Sequence, residues 1–453
     1  MTITRTRLPE PAPSPPYVFP AIDKSMLPNG LQIWTVRHPQ VPIVAFMLLL
    51  RCGAAADPAG KEGLAAATAD MFDEGTGDGS AIDMHEALAR LGAQFDIDIG
   101  SDGTVLSLTL LSRFAERGLA LLADMVVRPA MREADFARVR QLRLHRLTQI
   151  RDVPSALADR AFLRLVYGTH PYGHSPIGSE ASLASMTIDD VRAFHAAAIR
   201  PSEATLIAVG DCDHASIQQF ARESFADWTG VADDPPGPTE DLPHGARLNI
   251  VLRPRAPQSE LRIGQVGVDR KTPDYYALLV ANAILGGQFV SRINLNLRED
   301  KGITYGARTA FEFRRWRGPF VLQVSVQTSA TGRAIEESIR EIADFRGPRP
   351  ATAEELSLGI SGITRGYARN FETADQIARA AMQLALYELP DDYFLEFVPR
   401  IERVTIDEVS RVMRQHVDPG RLTTVVVGDL DAIEPDLRRL GLGDPVVVPH
   451  DSF

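Results

Sequence analysis

The chain has 453 residues, 45% of them hydrophobic and 24% charged, a composition of soluble globular proteins with room for about two to four domains. Its formal net charge of −11 argues against a nucleic-acid backbone as the main partner. Two cysteines, Cys52 and Cys212, make neither a disulfide framework nor a four-ligand zinc site, and read as buried free thiols in a reducing compartment.

Residues 1–19 are broken by prolines and hold no apolar segment of signal-peptide type, so they read as an extended arm without a secretory signal. No run of ~20 apolar residues stands out, so neither a membrane-spanning helix nor a membrane partner is expected. A cytoplasmic location follows as the expectation.

From Pro20 the chain opens with strands at "LQIWTV" and "IVAFMLLLRCG". Helices follow over Gly63–Asp73 and Ala81–Leu91, then a strand pair, "AQFDIDIG" and "TVLSLTLL", turned at Asp102-Gly103. Helices are expected over Arg113–Val127, Glu133–Arg151 and Ser155–Tyr167. His170 and His174 in "HPYGH" are four apart, but Pro171 and Gly173 speak against a helix, and solvated loop histidines are the plainer reading.

The segment Met186–Asp213 returns as Val404–Asp431. The two align without a gap and agree at 10 positions, each with a Thr N-cap, acids in the first turn, a helix, a Pro, an apolar strand and a Gly-Asp stop. An offset near half the chain reads as duplication. The Pro/Gly/Asp-rich stretch 229–246 is then a connector. It divides an arm (1–19) and a first domain (20–228) from a second domain (247–453). The second half repeats the order: strand "ELRIGQVGV", helices Tyr275–Leu285 and Val290–Asp300, strands "YGARTAFEF" and "PFVLQVSVQT", then helices. Strands and helices cluster within each half. The expected fold is therefore α+β: two homologous halves, each a mostly antiparallel sheet packed with helices, joined by the connector in a clamshell.

Two stretches carry chemistry. "GLAAATADMFDEGT" (63–76) is by itself an amphipathic helix, with Leu64, Ala67, Met71 and Phe72 able to face a core. In "NLREDKGITYGA", Arg298 lies in the last turn before Gly302, a C′ glycine, and Tyr305 opens the next strand. From spacing alone these are a surface cation and a strand aromatic. Just upstream, Gly286 and Gly287 break two helices and offer close backbone approach.

These stretches, the duplicated halves, "LADMVVRP", "HPYG" and "IGSEASLASMTIDDVRAFH" together resemble the pitrilysin-like metallopeptidases, the inverted zincins, over about Pro20–Asp431. In that family a helix carrying H-x-x-E-H binds zinc and activates water. The flanking "GLA" and "GT" place the first His on Ala66, the Glu on Ala69 and the second His on Asp70. The third ligand falls on Arg146 if the intervening segment is ungapped. Alanine has no donor atom and arginine repels a divalent cation, so the resemblance implies no metal in this chain. Arg298 and Tyr305 match the family's electrophilic clamp: the Tyr hydroxyl donates to the oxyanion of the tetrahedral intermediate, and the Arg binds substrate carbonyls. The resemblance thus implies catalytic and substrate-binding roles for Arg298 and Tyr305, and a zinc-bearing H-x-x-E-H partner subunit in a heterodimer that acts on peptides. A purely structural or peptide-binding subunit is the alternative. A homodimer with a different metal site is a third, for which no ligand cluster is apparent.

Overall fold

The computed structural model describes residues 17–230 and 247–449. The arm up to residue 16 and nearly all of the connector lie outside the described residues. Two six-stranded sheets organise the described residues. The first holds β1 (Asp23–Met26), β2 (Gln32–Arg37), β3 (Ile43–Leu50), β4 (Gln94–Ile99), β5 (Thr104–Leu111) and β6 (Ala204–Gly210), in the order β1-β2-β6-β3-β5-β4. The second holds β7 (Leu248–Leu252), β8 (Gln258–Val266), β9 (Ala307–Phe311), β10 (Pro319–Gln327), β11 (Thr423–Gly428) and β12 (Val446–Val448), in the order β12-β7-β11-β8-β10-β9. The five strands from β2 and β7 onward correspond one to one. In each sheet the strand of the closing repeat, β6 or β11, runs parallel to one neighbour and antiparallel to the other. The fold is the α+β, two-half, mostly antiparallel arrangement expected.

The repeats fold alike for the same local reason. Thr187 accepts from the Asp190 amide and Thr405 from the Glu408 amide, and each acidic side chain returns the bond to its cap. The helices Ile188–Ala198 and Ile406–His416 start at these capping boxes and lead into β6 and β11.

Each sheet is completed by a helix from the other half. The first-half helix Pro154–Tyr167 lies on β8 and β11, and the second-half helix Ala374–Tyr387 lies on β3 and β6. Leu157, Ala161 and Phe162 therefore share a core with Val251, Val425 and Val427, while Met47 and Val209 share one with Ile377 and Ala381. β3 and β6 are apolar along nearly their whole length because both their faces are covered. The halves interlock, and neither buries its sheet alone.

Polar pins add to this. Arg262 Nε donates to Asp159 Oδ1 at 2.5 Å and its Nη2 to the Ser155 carbonyl at 3.0 Å. Asp102 accepts from the Tyr172 hydroxyl and from the Arg315 amide at 2.8 Å, and Tyr172 in turn accepts from the Trp316 amide at 3.1 Å. The residue read as a turn former is thus also a buried acceptor for the opposite half. Tyr17 and Phe19, within the expected arm, pack on the second half: Tyr17 stacks on Phe371 and Phe19 meets Phe394 at a tilt, with ring centroids 4.7 Å apart in both pairs.

One stretch bears on the expectation of no membrane-spanning helix. Tyr275–Asp300, 26 residues with a mean hydropathy of 1.3 over its most apolar window, is long and apolar enough to cross a membrane by length and composition. Its continuity is broken after Gly287, and Leu278, Val280, Ile284, Leu285, Ile293 and Leu297 lie in the second-half core. Burial within the protein accounts for its apolar character.

Two candidate clefts and the family they place the chain in

The helix expected to be amphipathic is buried nearly all round. It spans Leu64–Asp70, and Ala66 and Ala69 are each 2% exposed. Its start is fixed by Asp57, whose carboxylate accepts the amides of Gly63 and Ala65, both at 2.6 Å. His174 bonds the same carboxylate at 3.0 Å, whereas His170 accepts the Tyr172 amide, so the two histidines serve separate structural contacts. Only Asp70 reaches a cleft, of about 560 Å³, bounded by the edge strand β4 and the helix Glu133–Arg151.

There the partner of Asp70 is a cation. Arg143 Nη1 donates to Asp70 Oδ2 at 2.6 Å and Arg143 Nη2 to the Pro176 carbonyl at 2.7 Å. Arg146, where the ungapped count landed, lines the same cleft but is exposed. The buried cation is one helical turn earlier, at 9% exposure. Asp73, Glu74 and His85 line the cleft as well. Burial, then the negative charges of Glu74 and Asp70, hold the Asp73 carboxyl above its ordinary range, with His85 opposing. A zinc does not fit these residues: two positions are methyl groups, and the one carboxylate is tied to a guanidinium. Among the described residues no group of three His, Cys, Asp or Glu side chains is placed to hold a metal ion.

The second cleft, about 520 Å³, lies on β8, β9 and β10 where Ser155 of the exchanged helix approaches. It brings Arg298 and Tyr305 together. The long apolar segment loosens into wide, π-type turns at Ala283–Gly287 and again at Leu295–Asp300, a device frequent at functional sites. Gly286 lets the first of these press against β9, for a Cβ there would meet Thr309 Oγ1 at 2.6 Å. Gly302, at φ +62°, ends the second and donates to the Arg298 carbonyl at 3.1 Å. Arg298 therefore sits in the last turn, as expected. Tyr305 precedes β9 by two residues instead of opening it.

Asn294, which sequence reasoning did not single out, ties these parts together. Its Oδ1 accepts the Ala307 amide at 2.8 Å, and its Nδ2 donates to the Gln288 carbonyl at 3.1 Å and to Ser291 Oγ at 3.2 Å. One buried amide thus links the Arg298 helix, the Phe289 loop and the strand after Tyr305. The Arg298 guanidinium stacks on Phe289, 3.5 Å from the ring centroid, and donates from Nε and Nη2 to Glu299 Oε1 at 2.8 and 2.5 Å. Its Nη1 has no partner among the described residues. Phe289 is itself 72% exposed, and Tyr305 is 94% exposed with no hydrogen bond to its hydroxyl among the described residues. A large aromatic held this far into solvent contributes nothing to the core of this chain.

Two family profiles match the chain in tandem, the second starting within the first half and running across the connector. Residues 32–179 match insulinase (peptidase family M16), and residues 185–362 match the peptidase M16 inactive domain. The chain belongs to peptidase family M16. An uncharacterised zinc protease of Mycobacterium tuberculosis H37Rv is 24% identical over 93% of this chain and 96% of its own length. Another from Bacillus subtilis is 25% identical over 61% of this chain and 67% of its own. The crystal structure of a peptidase M16 inactive domain from Pseudomonas fluorescens superposes with a TM-score of 0.84 at 25% identity, covering 90% of this chain and 98% of that one. A Helicobacter pylori protease at 19% identity shares the fold, with a TM-score of 0.83 over 90% of this chain and 99% of its own. The pitrilysin-like resemblance and the two-half fold are thereby established.

Proposed function

We propose that this M16 chain is the zinc-lacking subunit of a two-chain metalloendopeptidase, non-catalytic alone, which lends Arg298 and Tyr305 to the active site of an H-x-x-E-H partner. The observation that carries this reading is the asymmetry between the clefts. Two of the motif's positions in the first are alanines and the third is an aspartate tied to Arg143, while the second keeps an arginine beside a fully presented tyrosine.

In this reading the metal and its activated water belong to the partner. Tyr305 Oη–H donates to the carbonyl oxygen of the scissile bond as it becomes an oxyanion, a contact stronger in the transition state than in the ground state. Arg298 Nη1 donates to a peptide carbonyl, while Phe289 and Glu299 fix the plane of the guanidinium. Unfolded peptide is held in extended form, and the free edges of β4 and β9 offer backbone groups for strand addition. We take 20–228 and 247–453 as the two domains and the cytoplasm as the location.

Mixing the purified chain with an H-x-x-E-H chain of similar length from the same genome tests this. Peptide cleavage should require both chains. A partner equally active alone, or a mixture inert toward every unfolded peptide, would favour a purely structural or peptide-binding subunit instead.

A further inference from the structure

A third depression, apart from both clefts, has an unusual charge. It lies at the end of β8 and encloses about 410 Å³, within the ~300–1,000 Å³ common for small-molecule sites. Its walls carry Arg317, Arg346, Arg414 and Arg421 with His416, against one carboxylate, Asp418. Four arginines facing a single acid stand out in a chain whose net charge is −11.

Two of these guanidinium groups are pre-positioned by carbonyls. Arg346 donates from Nε to Met413 O at 3.3 Å and from Nη2 to Arg414 O at 2.9 Å, with Nη1 3.8 Å from Asp418. Arg317 Nε donates to Gly267 O at 3.0 Å. Arg414 and Arg421 have no carboxylate partner among the described residues. Gln265 braces the wall, donating to the His416 carbonyl at 3.1 Å and accepting the Asp418 amide at 2.9 Å. His416 is occupied by Asp274 at 2.6 Å, and Arg411 takes the other oxygen of that carboxylate, also at 2.6 Å. Among the described residues Asp418 is the one carboxylate in the wall, set against four arginines.

Like charges gathered in a concavity repel one another, and a bound anion relieves that repulsion. Guanidinium forks match the paired oxygens of phosphate and carboxylate. We infer that this depression binds a small polyanion bearing two or more adjacent phosphate or carboxylate groups. The site is independent of the peptidase reading. It also touches the junction between the halves, because the Arg317 carbonyl accepts the Tyr167 hydroxyl at 2.7 Å. Occupancy therefore braces the loop that joins them.

Calorimetric titration of the full chain with tripolyphosphate, and separately with citrate, tests the site at low salt. The expected result is saturable one-to-one binding that weakens as salt rises. Arg414→Gln with Arg421→Gln should weaken it at least tenfold, while neutralising two arginines elsewhere, Arg333→Gln with Arg369→Gln, should leave it within about twofold. All four are surface positions, and a melting curve for each variant checks that it folds. Tighter binding of tripolyphosphate would identify a phosphate ligand, and tighter binding of citrate a carboxylate one. No saturable binding of either, or an equal loss in the control variant, overturns the inference.

Discussion

The two clefts sit in halves of common origin, yet they spend their polar residues in opposite ways. In the first, the carboxylate at an old ligand position is tied from within, Asp70 by Arg143, and its neighbour Glu74 is tied by Arg138. In the second, neither the Tyr305 hydroxyl nor Arg298 Nη1 has a partner among the described residues, and an exposed phenylalanine supports the guanidinium. An ion pair that closes a site and a side chain that waits in solvent have different physical signatures. The first serves stability, and the second has meaning only with something else bound.

The sharpest contrast comes from substituting one arginine in each cleft. Arg143→Ala removes a buried guanidinium and leaves the Pro176 carbonyl without its donor. Because Asp70 remains half in water, the expected loss is about 2–3 kcal/mol in denaturant unfolding. Arg298→Ala should cost less, under ~1 kcal/mol, because its partners Phe289 and Glu299 are themselves exposed. Equal destabilisation by the two would erase the distinction drawn between the clefts.

Asn294→Ala should fall between these effects. It leaves the Ala307 amide unbonded and frees the Arg298 and Tyr305 segments from each other, for about 1–2 kcal/mol. In the two-chain enzyme its loss of kcat should exceed its loss of stability, because the pair it positions is displaced. A fall in stability without one in kcat would make Asn294 merely structural.

A smaller effect separates the first cleft by pH. A carboxyl whose folded pKa is raised contributes stability below its unfolded value, near ~3.9 for Asp, and that contribution is lost as pH rises through the folded value. Asp73→Asn should therefore raise the melting temperature at pH 7 by about 1–2 °C and leave it unchanged near pH 3. A loss of stability at pH 7 would mean that the carboxylate is wanted there. Smallest of all, EDTA should move the melting temperature of the isolated chain by less than ~1 °C, since a resident metal would stabilise by mass action.

Much of this was legible in the residues. The helix Glu133–Arg151 and the strand Thr104–Leu111 fall where their patterns ended, because their ends are marked by turn residues and an abrupt change of polarity. The short strands β1, β7 and β12 were not read, being brief edge or near-edge segments with little alternation of their own. The helix exchange was invisible because a helix's periodicity tells that it has a buried face, not whose sheet covers it. Arg143 was missed by counting along the chain from the H-x-x-E-H position. A local signal existed: with Phe136, Val139 and Leu147 it occupies one apolar stripe, where a charge must find a partner. Asn294 and Phe289 gave no such signal, since the roles of both depend on the break after Gly287 and on where the loop lands against β9.

The most direct test is Tyr305→Phe in the reconstituted two-chain enzyme, with kcat and KM measured separately on an unfolded peptide. Loss of the hydroxyl should lower kcat by ~10²–10³ with little change in KM and none in folding. A kcat equal to that of the unmodified chain would mean that Tyr305 donates to no transition state, and the division of one active site between two chains would not stand.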